Sequence, residues 1–176
     1  MRRDVGSRRV YEGPRIAVRL DEVIFPSGKT RVYEIVEHPG AVAIVPVTAD
    51  GQVLLVRQFR QPVGADLLEV PAGTLEPGES PEACARRELA EEVQMVADRW
   101  EPLVTFFPSP GVLTEKMYVF LARDLRRTSA EREEEDLRVD ALPLEDARRL
   151  VDAGEIRDAK SIIGIFAAWE RLRTIG

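Results

Sequence analysis

The chain has 176 residues, of which 44% are hydrophobic and 32% charged. That suits one globular domain, perhaps with a small N-terminal appendage, with room for a sizeable core. A net charge of −6, with arginine pairs scattered among acidic stretches, argues against nucleic-acid binding. One cysteine (Cys84) and one histidine (His38) exclude a disulfide framework and a Cys/His zinc site.

No apolar run approaches the ~18 residues of a membrane span. The basic start, Met1–Asp4, leads into no apolar segment, so a cytoplasmic protein without a secretory signal is expected. Apolar alternation over Arg15–Phe25, a turn at Pro26-Ser27-Gly28-Lys29 and a second strand over Thr30–Glu37 predict a hairpin. His38 precedes a Pro-Gly turn, has no nucleophile nearby and reads as structural. Ala41–Val47 is a nearly continuous apolar run, as in a strand buried on both faces. Ala49-Asp50-Gly51 predicts a hairpin turn, with Gln52–Phe59 as the partner strand, and Leu67–Pro71 is a further short strand.

The period then changes. Ser80 and Pro81 are an N-cap and first helical residue, and Ala85, Leu89 and Val93 recur every four positions. Strands return at Trp100–Phe107, Lys116–Ala122 and Leu137–Leu142, the last after an acidic loop, Ser129–Asp136. Two helices, Leu144–Ala153 and Asp158–Arg173, close the chain. The order predicts a mixed α+β sandwich.

On the first helix, Glu88 and Glu92 stand one turn apart on one face, with Glu91 beside them. Three such carboxylates repel one another unless a cation lies between them, and oxygen-only donors suit a hard ion such as Mg²⁺ or Mn²⁺. Alone, the pattern equally describes a solvated acidic helix face. Its context separates the two readings: Gly73 stands six residues before Glu79, and Glu79 eight before Arg87.

With Gly73, Glu79, Arg87, Glu88, Leu89, Glu91, Glu92 and Met95, the stretch from 73 to 95 resembles the Nudix box. The resemblance implies a Nudix α/β/α sandwich with a mixed sheet and an N-terminal antiparallel hairpin. It divides the chain into an N-terminal segment, 1–38, and a hydrolase domain, 39–176. It also implies metal ligation by Glu88, Glu92 and the Ala72 carbonyl, with Glu91 a third carboxylate ligand or a holder of water. Glu79 and Arg87 are expected to pair structurally. Gln94 departs from the box, which has glycine there. Two exits are open: a left-handed Gln94, costing on the order of 1 kcal/mol, or a helix that runs on past Val93.

Beyond the box, the chain is similar to the ADP-ribose pyrophosphatase branch of the family. Arg60, in Val56-Arg57-Gln58-Phe59-Arg60, resembles an arginine contacting the substrate's phosphates. Pro110 and Gly111 resemble a proline-containing loop, and Glu115 resembles an acidic contact to the ribose region. The acidic run Glu133–Asp136 resembles the loop supplying the catalytic base, with Glu133 first and Glu135 second. The resemblance implies Mg²⁺-dependent hydrolysis of ADP-ribose to AMP and ribose 5-phosphate by a homodimer. Other sugar nucleotides, NADH or FAD are alternative substrates. A non-catalytic ADP-ribose sensor is a further alternative, disfavoured because every box carboxylate is present.

Overall fold

The computed structural model describes residues 1–129 and 137–175, which form two compact units. Residues 1–40 and 107–116 make the first, and residues 41–106 with 117–176 the second.

In the first unit β1 (Arg3–Glu12), β2 (Ala17–Ile24) and β3 (Thr30–Glu37) form an antiparallel sheet in that order. The predicted hairpin is β2–β3, closed where Gly28 N–H donates to the Phe25 carbonyl (2.9 Å). β1 is an additional strand. All ten of its residues are exposed, so no buried face imposes an alternation that could be read. The segment 107–116 joins this unit through Val36, which donates to Val112 O (2.8 Å) and accepts from Thr114 N (2.9 Å).

The second unit is built on β4 (Ala41–Pro46), every residue of which is buried. β4 lies between β7 (Ala72–Thr74), antiparallel, and β9 (Met117–Arg127), parallel; β8 (Met95–Phe106) completes this mixed sheet. The predicted pairing of Gln52–Phe59 with Ala41–Val47 does not form. Both edges of β4 are taken by β7 and β9, and only a Val47–Val53 bridge survives at the corner. β5 (Gln52–Arg60) instead sits between β10 (Arg138–Pro143) and β6 (Ala65–Glu69) in a second sheet.

Alternate residues of β4 enter two apolar clusters, as the twofold strand period requires. Val42 and Ile44 meet Cys84, Ala85, Leu89 and Val93 of α1 (Pro81–Val93). Ala41, Ala43 and Val45 meet the cluster containing Leu144 and Ala147 of α2 (Leu144–Asp152) and Ile165 and Ala168 of α3 (Ala159–Ile175). Helices on both faces of a mixed sheet are the expected sandwich. Among the described residues, no helix is long and apolar enough to cross a membrane.

Both ends of α1 are fixed locally. Ser80 Oγ accepts from Ala83 N–H (3.2 Å), and Pro81 opens the first turn. The helix stops at Val93, with Gln94 in the left-handed region at φ 54°, so it does not run on. Gln94 N–H donates to Ala90 O (3.1 Å), and its carbonyl accepts from Thr128 N–H (3.0 Å). These backbone bonds hold the exit in a conformation that glycine would adopt with less strain.

Candidate active site

The four residues from Glu69 to Ala72 run from β6 into β7, and each is tied to a different part of the second unit. Glu69 accepts ion pairs, Val70 N–H donates to Ser161 Oγ (2.8 Å), Pro71 O accepts from Ile44 N–H (2.8 Å), and Ala72 N–H donates to Glu92 Oε2 (3.0 Å). The last bond fixes one α1 carboxylate against the start of β7.

A second carboxylate of α1 lies on the next residue. A Cβ added to Gly73 would fall 1.7 Å from Glu88 Oε1 and 1.9 Å from its Cδ. Gly73 is not among the glycines with positive φ, so it is required for space rather than for backbone conformation. The structure thus brings together Ala72, Gly73, Glu88 and Glu92.

Arg87 fills the gap among the remaining charges. Its Nη1 donates to Glu88 Oε1 (2.7 Å) and Glu91 Oε2 (3.0 Å). Its Nε and Nη2 grip Glu79 (3.0 and 3.1 Å), and Nη2 also reaches Thr74 O (3.2 Å). The expected Glu79–Arg87 pair is therefore present and clamps α1 to the loop before it. Hydrogen bonding from Arg87, reinforced by Glu76 N–H, holds the Glu79 carboxyl down at about 2. Arg87 is raised in turn, chiefly by Glu79. Cys84 lies under this clamp, with Sγ 3.5 Å from Thr74 O. Burial, followed by the charge of Glu79, pushes its thiol up to about 12, so it is an inert packing residue.

Arg60 ends β5 and binds Glu69 in a bidentate manner, Nε to Oε1 at 3.0 Å and Nη2 to Oε2 at 2.6 Å. Glu69 is 1% exposed. Lys160 Nζ, from the first turn of α3, lies 2.5 Å from the same Oε2 and 2.9 Å from Asp158 Oδ2. Burial alone would raise the Glu69 carboxyl, but the Arg60 hydrogen bond and the Lys160 charge outweigh it and lower it. Sequence reasoning assigned no role to Glu69 or Lys160. The available signal was a carboxylate inside the apolar run Leu67–Val70.

Glu115, Pro110 and Gly111 belong to the first unit. Glu115 Oε1 is 3.8 Å from His38 Nδ1, which accepts from Gly40 N–H (3.1 Å). Glu133 and Glu135 lie outside the described residues. Among the described residues no three His, Cys, Asp or Glu side chains converge closely enough to hold a metal ion.

A helix-flanked mixed sheet carrying this carboxylate helix defines the class, and the NUDIX domain model matches residues 37–163: the chain belongs to the Nudix family. Among its relatives, the ADP-ribose pyrophosphatase of Bacillus subtilis (strain 168) is 40% identical over 164 residues, covering 92% of this chain and 89% of the relative. The ADP-ribose pyrophosphatase of Mycobacterium tuberculosis (strain ATCC 25618 / H37Rv) is 40% identical over 167 residues, 93% of this chain and 81% of that one. A solved structure described as an ADP compounds hydrolase superposes with a TM-score of 0.89 at 28% identity, covering 99% of this chain and 96% of that one.

Proposed function

We propose that this Nudix enzyme hydrolyses the diphosphate bond of ADP-ribose, giving AMP and ribose 5-phosphate, with Mg²⁺ as cofactor and Mn²⁺ as a substitute. The observation that carries the reading is the packing of Glu88 and Glu92 against Ala72 and Gly73. The names of the two pyrophosphatase relatives support the choice of substrate.

The donors fit the metal. Glu88, Glu91, Glu92 and the Ala72 carbonyl offer only oxygen, as hard cations prefer. Glu88 occupies space that only glycine at 73 leaves, so the site is built around that carboxylate. Bound there, the metal supplies neutralisation of diphosphate charge and acidification of the attacking water. Arg87 balances part of the charge of Glu88 and Glu91.

The chain's own residues do the rest. Arg60 binds the diphosphate, and Glu115, Pro110 and Gly111 contact the ribose side. Glu133, with Glu135 as second candidate, accepts the proton of the water that attacks phosphorus. Glu91 holds that water or serves as third ligand. The homodimer belongs with this reading: β1 is an edge strand with exposed Val5, Val10 and Tyr11, a surface suited to a second copy. So does a cytoplasmic location, where nucleotide-linked sugars are metabolised.

The test is phosphate release, after phosphatase treatment of the products, from ADP-ribose, other sugar nucleotides, NADH and FAD with Mg²⁺. ADP-ribose is expected to have the highest kcat/KM, and a different preferred substrate overturns the assignment. Absence of hydrolysis with all of them would favour a sensor. Glu92→Gln with unchanged turnover would remove the metal assignment, and the larger loss between Glu133→Gln and Glu135→Gln identifies the base.

A further inference from the structure

Arg60 is held by a carboxylate that folding alone gives little reason to keep. Glu69 is 1% exposed, and taking a charge out of water is costly unless it is paired. Well-packed apolar residues in place of a buried ion cluster are often as stable or more so. Lys160 adds to the puzzle. A cation in the first turn of α3 opposes the helix dipole, yet it sits there between Glu69 and Asp158.

We infer that Glu69, which Lys160 also binds, is a positioning residue that fixes the Arg60 guanidinium for the substrate's diphosphate. The inference rests on the assignment of Arg60 to the diphosphate made above. The Arg60 side chain is 34% exposed while its partner carboxylate is buried, so the guanidinium is anchored inside and reaches the surface. The bidentate grip engages Nε and Nη2 and so fixes the plane of the guanidinium fork. A guanidinium oriented in this way meets an anion without first losing the freedom of a long side chain. Lys160 supplies the second cation that keeps Glu69 ionised while Arg60 faces the substrate. The same cluster ties α3 to β6, and β6 leads through Val70 and Pro71 to Ala72, whose N–H fixes Glu92.

A double-mutant cycle separates positioning from simple support of the fold. Glu69→Gln is expected to raise the KM for ADP-ribose about ten-fold, with kcat held within about two-fold. In an Arg60→Ala background the same change should alter KM by less than about two-fold. A purely structural role reduces the folded fraction and therefore kcat, without this split. A KM unchanged in Glu69→Gln, or raised equally in both backgrounds, overturns the inference while leaving the Arg60 assignment standing. A KM unchanged in Arg60→Ala alone overturns that assignment and the inference with it. Where Glu69→Gln does not fold, the Glu69→Gln/Lys160→Met pair, with both charges removed, is read in its place. It too should show the raised KM, and a wild-type KM there overturns the inference.

Discussion

Gly73→Ala tests the site with a single added methyl group. The backbone at 73 accepts alanine, because the residue is not in the left-handed region. The Cβ would lie 1.7 Å from Glu88 Oε1 and 2.5 Å from Oε2, against an ordinary contact of about 3.4 Å. The carboxylate must therefore retreat by about 1.7 Å, and it is the far end of a flexible side chain that can do so. An off-rotamer side chain costs about 0.5–1.5 kcal/mol, and a partly exposed ion pair to Arg87 about 0.2–1 kcal/mol. Removing a glycine from a strand returns roughly 0.5–1 kcal/mol. The net loss is about 1 kcal/mol, a fall of about 2–4 °C in Tm for a chain of this size. A catalytic group displaced by about 1 Å can cost about 100-fold, so kcat/KM should fall at least that far. Thermal unfolding and Mg²⁺-dependent phosphate release on the same preparation measure both. Combination with Glu88→Gln should add little to either loss. Retention of more than about a third of the activity with Tm unchanged would refute the requirement for Glu88 at this position. A fall in Tm beyond about 10 °C would show that the glycine serves the fold instead.

Gln94→Gly should stabilise the protein by about 0.5–1 kcal/mol, because glycine enters the left-handed region without the steric penalty. A Tm raised by about 2–4 °C with activity retained is the expected result, and a lowered Tm would place the value of Gln94 in its side chain. Glu79 gives a pH dependence. Its folded carboxyl lies at about 2, below the ordinary 4.5, so its contribution is present above about pH 4.5 and lost as pH falls toward 2. Allowing for solvent screening, that contribution is about 1–2 kcal/mol. The gap in urea midpoint between the native chain and Glu79→Gln should close over that window, and a constant gap would contradict the ion-pair account.

The helix α1 was legible because its signals are local. Ser80, Pro81 and the four-residue apolar spacing fix its start and stripe, whereas the close approach of Glu88 to Gly73 shows only in the structure. The exposed β1 left no periodic trace, since neither of its faces is buried. The separation of β4 from β5 leaves no sequence signal, because a turn between two apolar runs looks the same whether the chain returns to one sheet or crosses to another. The Glu69–Lys160 contact joins residues 91 positions apart, and no sequence period connects them. The acidic run carrying Glu133 and Glu135 was recognisable only by its resemblance to a family loop.

The ties of the 69–72 run also set an order of assembly during synthesis. Pro71 and Ala72 can bond to Ile44 and Glu92 as soon as α1 has left the ribosome. Val70 and Glu69 must wait for Ser161 and Lys160, each 91 residues further along. A nascent chain that ends before α3 therefore carries Glu69 without the lysine that covers it, in a segment of high contact order. Residues 69 and 70 are locked only once α3 has been made, which ties the order of this run to that helix.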